Sequence, residues 1–475
     1  MTVSNPQRLR VAIVGGGIAG LTLAIALSRN APHLDVVVYE ATSTFGAVGA
    51  GIGMWPRVWD ALKGLGLCDT LDLHVDTSCS DARFHYRKSD QCDGIPFGVS
   101  EMPLRSIHRA DFLDALLKSP PVSLKILFSK RLTRYTDIDG EQVTLYFTDG
   151  SIETCDVLLA ADGIKSSVRQ QMYHSLSLSA IVLDKPKESE IFHRCQQPTW
   201  TGQVAYRAMI PRRELQQRHP SHPSLHTPCI YSGKHKVRHI VDDFSSDSQM
   251  VNVVVLMSRP TMQDTSQATS GHSSTHTSTA ELLRHFSGWE SLVIDLLQML
   301  KMPSRWVINT IESLPTYVSG RVGLLGDAAH AMTPHQASGA GQGIEVCQKS
   351  VEIKPVSYSP SDQDAFVLSS LLSLPEISSR TLPLALKVYD EIRRPFSQDI
   401  LHKSVETGRL YFMQTGTMAE IPTGTPLRKA LQKQADDIRG TFKWTNERDI
   451  SQSAQLAVDL FRKRLHQQTP LERDL

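Results

Sequence analysis

The sequence predicts an α/β fold: a doubly wound nucleotide-binding domain interrupted by a mixed-sheet domain, with helices at the C-terminal end. Three observations predict it. An apolar strand, Arg10 to Val14, runs through a glycine-rich turn into an apolar helix. A second apolar strand, from Val322, ends in Gly326-Asp327 and leads to another glycine-rich helix start. Between them lies a long alternating segment, Thr199 to Pro211, that suits a sheet with unlike faces.

Taken in chain order, Arg10-Val11-Ala12-Ile13-Val14 reads as a buried strand, Gly15-Gly16-Gly17-Ile18-Ala19-Gly20 has GxGxxG spacing, and Leu21 to Leu27 continue as a helix. Gly15 permits the tight turn, Gly17 lets backbone approach a pyrophosphate, and Gly20 allows close packing of helix on strand. The next strand, Asp35 to Tyr39, ends in Glu40, where a carboxylate can hold both hydroxyls of an adenosine ribose. These features specify a dinucleotide without separating FAD from NAD. Farther on, Ser106 to Leu113 joins an irregular segment to an amphipathic helix. Arg109, at that junction, is placed to reach a phosphate or a ring edge, or else is a surface arginine at a helix start. Cys155 to Gly163 is another apolar strand, ending in Asp162-Gly163 and followed by Ser167-Val168-Arg169.

Within Thr199 to Pro211, alternation sets Ala205, Arg207 and Met209 on one face and Tyr206 on the other. A guanidinium among small and apolar neighbours needs an anion. A substrate phenolate or carboxylate would supply it; a structural acid or solvent is the alternative. Downstream, the strand from Val322 delivers Asp327 at its end, and Gly339-Ala340-Gly341-Gln342-Gly343 opens a helix whose free N–H groups can face an anion or a polarised ring edge. His335 follows Pro334 beside this turn, whereas His330 lies within a helix-forming Ala-Ala-His-Ala run, where a structural role is expected.

Composition narrows the function classes. With 475 residues the chain can bury a large core and is expected to form two joined domains. Fifty basic against forty-nine acidic side chains give no electrostatic case for nucleic acid or an anionic membrane as partner. Apolar runs such as Val251 to Met257 are too short to span a bilayer, and no signal peptide or anchor is expected. The seven cysteines form no CxxC pair and no even framework, so reduced thiols and a cytoplasmic location are expected. His272 and His276 lack Cys or acidic companions, so no metal site is expected.

Gly15 to Gly20, Glu40, Gly49-Ala50-Gly51-Ile52-Gly53, Arg109, Asp162-Gly163, Tyr206-Arg207 and Gly326 to Gly343 together resemble the salicylate hydroxylase branch of group A flavoprotein monooxygenases. The resemblance covers most of the chain, including Gly288-Trp289-Glu290, Pro303 to Trp306, Leu314-Pro315-Thr316 and Trp444. It implies FAD as the cofactor, NADPH or NADH and O2 as co-substrates, and a small aromatic substrate for a monomer or homodimer. The implied reaction is hydroxylation of a phenolic aromatic acid or aromatic polyketide in secondary metabolism, through a C4a-hydroperoxyflavin, with or without decarboxylation. Epoxidation of an alkene is the alternative on the same fold. The implied FAD contacts are Gly15, Gly17, Gly20, Glu40, Gly53, Arg109, Asp162, Asp327, Gly339, Ala340 and Gly341, with Asp327 on the ribityl chain. The catalytic candidates are Arg207, Tyr206 and His335. Arg207 would favour a phenolate over a phenol of pKa about 10. His335 would orient or deprotonate the hydroxyl, or serve as a hydrogen-bonded structural histidine. The implied FAD-binding domain spans residues 1–180 and 311–415, the substrate domain 181–310, and a helical tail 416–475.

The chain also departs from that pattern. Trp55-Pro56-Arg57 follows Gly53 where Asn is frequent after the proline. Residues 231–250 are unusually charged, and residues 261–279, rich in Ser, Thr and His, read as a solvated, disordered loop. The largest departure is the run of eighteen residues from Val346 to Gln363. It separates Ile344-Glu345 from Asp364-Ala365, and Pro355 and Pro360 stop a helix from passing through it. Eighteen codons make 54 nucleotides; Val codons begin GT and Gln can be CAG, the outline of a retained intron. A looped insertion is the other reading. If the run is translated intron, a catalytically impaired flavin-binding protein is a further alternative.

Overall fold

The computed structural model describes residues 8–45, 51–56, 58, 59, 62, 83–101, 103–118, 124–137, 140–243, 250–258, 274–344, 364–415, 418, 426–445 and 450–468. A six-stranded sheet forms the nucleotide half, in the order Val318–Ser319, Val322–Leu324, Val157–Ala160, Arg10–Val14, Asp35–Tyr39, Lys125–Leu127. Its strands run parallel except at Val318–Ser319. Parallel strands are covered on both faces, and this explains why Val157 to Ala160 and Val11 to Val14 are buried without alternation. The helix Ile18–Asn30 packs its residues Gly20 to Leu27 into the core. A three-stranded antiparallel ladder, Leu132–Thr136, Val143–Phe147 and Ile152–Cys155, stands beside the sheet.

The second half is an eight-stranded mixed sheet. Its order is Ser274–His276, Ser304–Thr310, Thr199–Pro211, Met250–Ser258, Lys236–Asp243, Cys229–Gly233, His85–Lys88, Ile95–Val99. Only the Cys229–Gly233 and His85–Lys88 pair is parallel. Alternation along Thr199–Pro211 gives this sheet two destinations. Ala205, with Val254 and Leu256 beside it, joins the core that continues into the nucleotide sheet. Val204, Tyr206 and Ile210 enter a second core closed by helices Thr279–Arg284 and Ser291–Met299. The arrangement is an α/β fold with a mixed-sheet half and C-terminal helices Leu427–Thr441 and Ile450–Gln468.

Several expectations need correction. Strands His85–Lys88 and Ile95–Val99 fall within residues 1–180, expected for the nucleotide half, yet they extend the eight-stranded sheet, because Cys229–Gly233 offers an open edge for pairing. The segment before Arg109 is not irregular: Arg105–His108 is a strand paired antiparallel with Gly51–Met54. Within the charged stretch 231–250, the described residues to Asp243 belong to the paired strands Cys229–Gly233 and Lys236–Asp243, with the turn at His235 in the left-handed region at φ 61°. The end of the expected loop 261–279 is ordered, as Ser274–His276 pairs with Ser304–Trp306 and Ser278 caps the following helix. The insertion Val346–Gln363, Gly49, Ala50, Arg57 and His272 lie outside the described residues. Among the described residues no helix is long and apolar enough to cross a membrane.

Candidate active site

The nucleotide turn is built by close approaches that side chains would block. Gly15 has φ 106°, and a Cβ there would collide with the Ala161 carbonyl oxygen and lie 2.9 Å from Asp162 N. A Cβ on Gly20 would strike the Gly15 carbonyl, so helix and turn touch directly. Gly16 N donates to Glu40 Oε2 at 2.7 Å, while Thr42 N donates to Glu40 Oε1 at 2.8 Å. Glu40 is thereby held at the turn with lone pairs left over for further donors. Around Gly17, by contrast, a Cβ would meet nothing within 4 Å.

This contrast sets up a paired test. Gly15→Ala should destabilise the cofactor-free protein by roughly 3 kcal/mol or more, since backbone cannot yield and the φ is strained. Gly17→Ala should leave that stability within about 1 kcal/mol. It should nevertheless weaken FAD binding by filling the space through which a pyrophosphate approaches. Urea denaturation and FAD titration of both variants check this; unchanged FAD affinity in Gly17→Ala would remove Gly17 from the cofactor contacts, and equal stability losses would refute the steric contrast.

The downstream turn meets the first. Gly326 has φ 58°, and its Cβ would lie 2.9 Å from the Ala19 Cβ at the start of the first helix. Asp327 follows at the head of the short helix Asp327–His330. Its side chain is exposed, and its Oδ1 lies 4.0 Å from the Cβ position of Gly339, at the start of helix Gly339–Ile344. Surrounding protein raises the Asp327 pKa by desolvation, against the pull of His330, Arg109 and Arg169. Arg109 is exposed at the first position of helix Arg109–Lys118. Gly53 approaches Leu104 and Ala337, and Gly341 approaches Val58, each closer than a Cβ would allow. Ala340 is half-buried against the main core.

Asp162 lies between these turns. Its Oδ2 accepts from Ser167 N at 2.9 Å and Val168 N at 3.3 Å, capping the helix Ser167–Val182. Its Oδ1 is buried with no partner among the described residues. Burial raises the Asp162 pKa, opposed by these bonds. Arg169 ties the loop to the next motif, donating from Nη1 to the Ala328 carbonyl at 3.1 Å. The residues fit FAD: the open space at Gly17, the unmet acceptor on Asp162 and the outward Asp327 carboxylate occur along one set of touching turns.

On the large sheet, Arg207 is half-buried, and burial lowers its pKa from the ordinary arginine value. No carboxylate among the described residues pairs with it. Tyr206 is not brought to the same place. It is 2% exposed in the second core, because neighbouring positions on a strand point oppositely. His335 is buried, and its Nε2 donates to Gln203 Oε1 at 2.8 Å. Its ring packs edge-on to Phe412, with centroids 5.4 Å apart, and lies against Gly408.

Four residues that contribute to this region escape the sequence analysis. Gln203 shares the alternating face of Arg207, so period two would have found it. Gln336 accepts from Trp55 Nε1 at 2.8 Å and Trp444 Nε1 at 2.9 Å, and donates to Thr407 Oγ1 at 3.0 Å and the Thr441 carbonyl at 2.8 Å. Trp55, two residues before the Arg57 position where Asn is frequent, is thus an anchor for the downstream turn. Asp364 and Arg393, buried as an ion pair at 2.8 Å, gave no local signal.

The chain is similar to known proteins in sequence and in fold. Residues 13–53 match the NAD(P)-binding Rossmann-like domain family. The chain is 33% identical to a salicylate hydroxylase of Pseudomonas putida over 418 residues, covering 86% of this chain and 87% of that protein. It is 32% identical to a 6-methylsalicylate 1-monooxygenase of Aspergillus terreus, covering 86% and 84%. A solved salicylate hydroxylase substrate complex superposes with a TM-score of 0.77 at 30% identity, over 95% of this chain and 98% of that one.

Proposed function

Since the chain belongs to the salicylate hydroxylase-like FAD-dependent monooxygenases, we propose that it uses NADPH or NADH and O2 to hydroxylate a small phenolic aromatic acid, in the cytoplasm. The observation that carries the substrate class is Arg207: a half-buried guanidinium with no carboxylate partner among the described residues, on the sheet face that leads to the nucleotide core. Relatives named for salicylate and 6-methylsalicylate support an aromatic acid as its ligand. Such a substrate would lose its carboxyl group as CO2 when oxygen is delivered to the ring carbon that bears it, the electrons of the broken C–C bond returning to the ring.

Bound FAD supplies the redox chemistry, accepting a hydride from NAD(P)H and activating O2. Glu40, the Gly15–Gly20 turn and Asp162 would hold its ADP half; Asp327, Arg109 and the Gly339–Gly341 helix start would hold the riboflavin half. Arg207 pairs with the carboxylate or phenolate of the substrate and favours ionisation of its hydroxyl, which makes the ring carbon more nucleophilic. His335 takes the hydrogen-bonded structural role. Its Nε2–H to Gln203 ties the turn after Asp327 to the strand that carries Arg207, so cofactor and substrate are held in one frame.

Arg207→Ala should keep its FAD while aromatic affinity falls by about tenfold to a hundredfold, the worth of a charge-assisted hydrogen bond. Product formed per NAD(P)H should fall and hydrogen peroxide rise. The check is oxygen and product stoichiometry with salicylate-type acids; unchanged coupling and unchanged aromatic affinity would assign Arg207 to structure alone.

A further inference from the structure

Asp364 opens the helix Asp364–Leu372 and is completely buried, an expensive place for a carboxylate unless its neighbours are arranged around it. They are. Oδ2 accepts from Gly326 N at 2.9 Å and lies 2.5 Å from His330 Nε2, while Oδ1 accepts from Arg393 Nε at 2.8 Å. Burial alone would push this carboxyl up; His330, Arg393 and the Gly326 amide outweigh it and hold its pKa well below the usual carboxylate range. Arg393 continues the chain of contacts by donating from Nη2 to Gln342 Oε1 at 3.4 Å.

What these partners share is Asp327. Gly326 immediately precedes it, and His330 ends its short helix. Gln342 lies in the helix Gly339–Ile344, whose first residue faces the Asp327 carboxylate. The left-handed turn at Gly326 and a four-residue helix have little intrinsic stability. Their geometry therefore depends on what grips them from behind. None of the Asp364 partners belongs to the Gly15–Gly20 turn or to Glu40.

We propose that Asp364 is the positioning residue for the riboflavin half of the cofactor site: through Gly326, His330 and the Arg393–Gln342 contact it sets where Asp327 and the Gly339–Ile344 helix start stand. The proposal rests on the FAD reading above. It separates two halves of one site. Disturbing Asp364 weakens what Asp327 holds and spares what Glu40 holds.

The test is binding of FAD and of ADP to the cofactor-free full chain, wild type against Asp364→Asn, with the absorption spectrum of bound flavin as a second readout. Asp364→Asn should bind FAD about tenfold to a hundredfold more weakly, as expected for loss of charge-assisted bonds. ADP affinity should be unchanged, and the remaining bound flavin should show altered visible bands. Should Asp364→Asn fail to fold, Arg393→Lys decides, because it keeps a cation beside Asp364 but loses the fork that reaches Gln342. It should show the same selective loss, smaller in size. FAD and ADP affinities falling together, or neither falling, in the variant that folds would overturn the proposal. No FAD binding by the wild-type chain would instead sink the flavin reading, and the proposal with it.

Discussion

Asp327→Ala should purify without flavin and remain folded. The carboxylate stands exposed at the head of its short helix, facing the Gly339 helix start, with Arg109, Arg169 and His330 acting on it. Charge-assisted hydrogen bonds to a ribityl chain are worth about 1.5–3 kcal/mol each, so losing them weakens FAD by about tenfold or more per bond. The size of the stability effect separates cofactor loss from unfolding. Desolvation raises the Asp327 pKa in the folded protein. A raised carboxyl pKa costs stability as pH rises from the unfolded value of about 3.9 through the folded one, and that cost persists above it. Because the carboxylate is exposed and keeps much of its hydration, that cost is small, and at neutral pH the cofactor-free variant should match the cofactor-free wild type within about 1 kcal/mol. Flavin absorbance after purification and thermal unfolding of both cofactor-free proteins check this. Full flavin retention in the variant would remove Asp327 from the site.

Deleting Val346 to Gln363 should give a protein with higher FAD occupancy and greater stability. The segment lies outside the described residues, but its two flanks are informative. Gln342 and Asp364 both bond to the one guanidinium of Arg393, at 3.4 and 2.8 Å. Excision would place Asp364 four residues after Gln342 in a continuous helix, and positions four apart share a face. Both side chains would then reach Arg393 from adjacent turns. Closing a loop of this length costs roughly 2–3 kcal/mol, a term that grows only slowly with length, and the deletion removes it. Sequencing the transcript tests the intron reading, and FAD titration and denaturation of the two purified forms test the physical one. A transcript retaining all 54 nucleotides, with flavin binding as strong in the longer form, would establish a tolerated loop.

The division between sequence and structure follows the range of the interactions. The nucleotide turn was legible because its requirements are local. A strand, a φ of 106° at Gly15, and a helix packed against the turn involve consecutive residues, and each restricts which residue can stand there. The face carrying Arg207 was legible for the same reason, since alternation along one strand assigns sides. Which side faces which core was not: Tyr206 enters the second core only because helices Thr279–Arg284 and Ser291–Met299 cover that face. Strands His85–Lys88 and Ile95–Val99 are short, and their sheet was decided by a free edge more than a hundred residues away in sequence. Gln336, Gln203 and Asp364 are unremarkable polar residues in sequence. They acquire their roles from partners such as Trp55, His335, Gly326 and Arg393, which packing alone brings within hydrogen-bonding distance. The sequence by itself thus determined the chemistry of the dinucleotide turn, whereas tertiary structure decided the supports behind Asp327 and Arg207, because buried polar groups take their partners from whatever the fold places beside them.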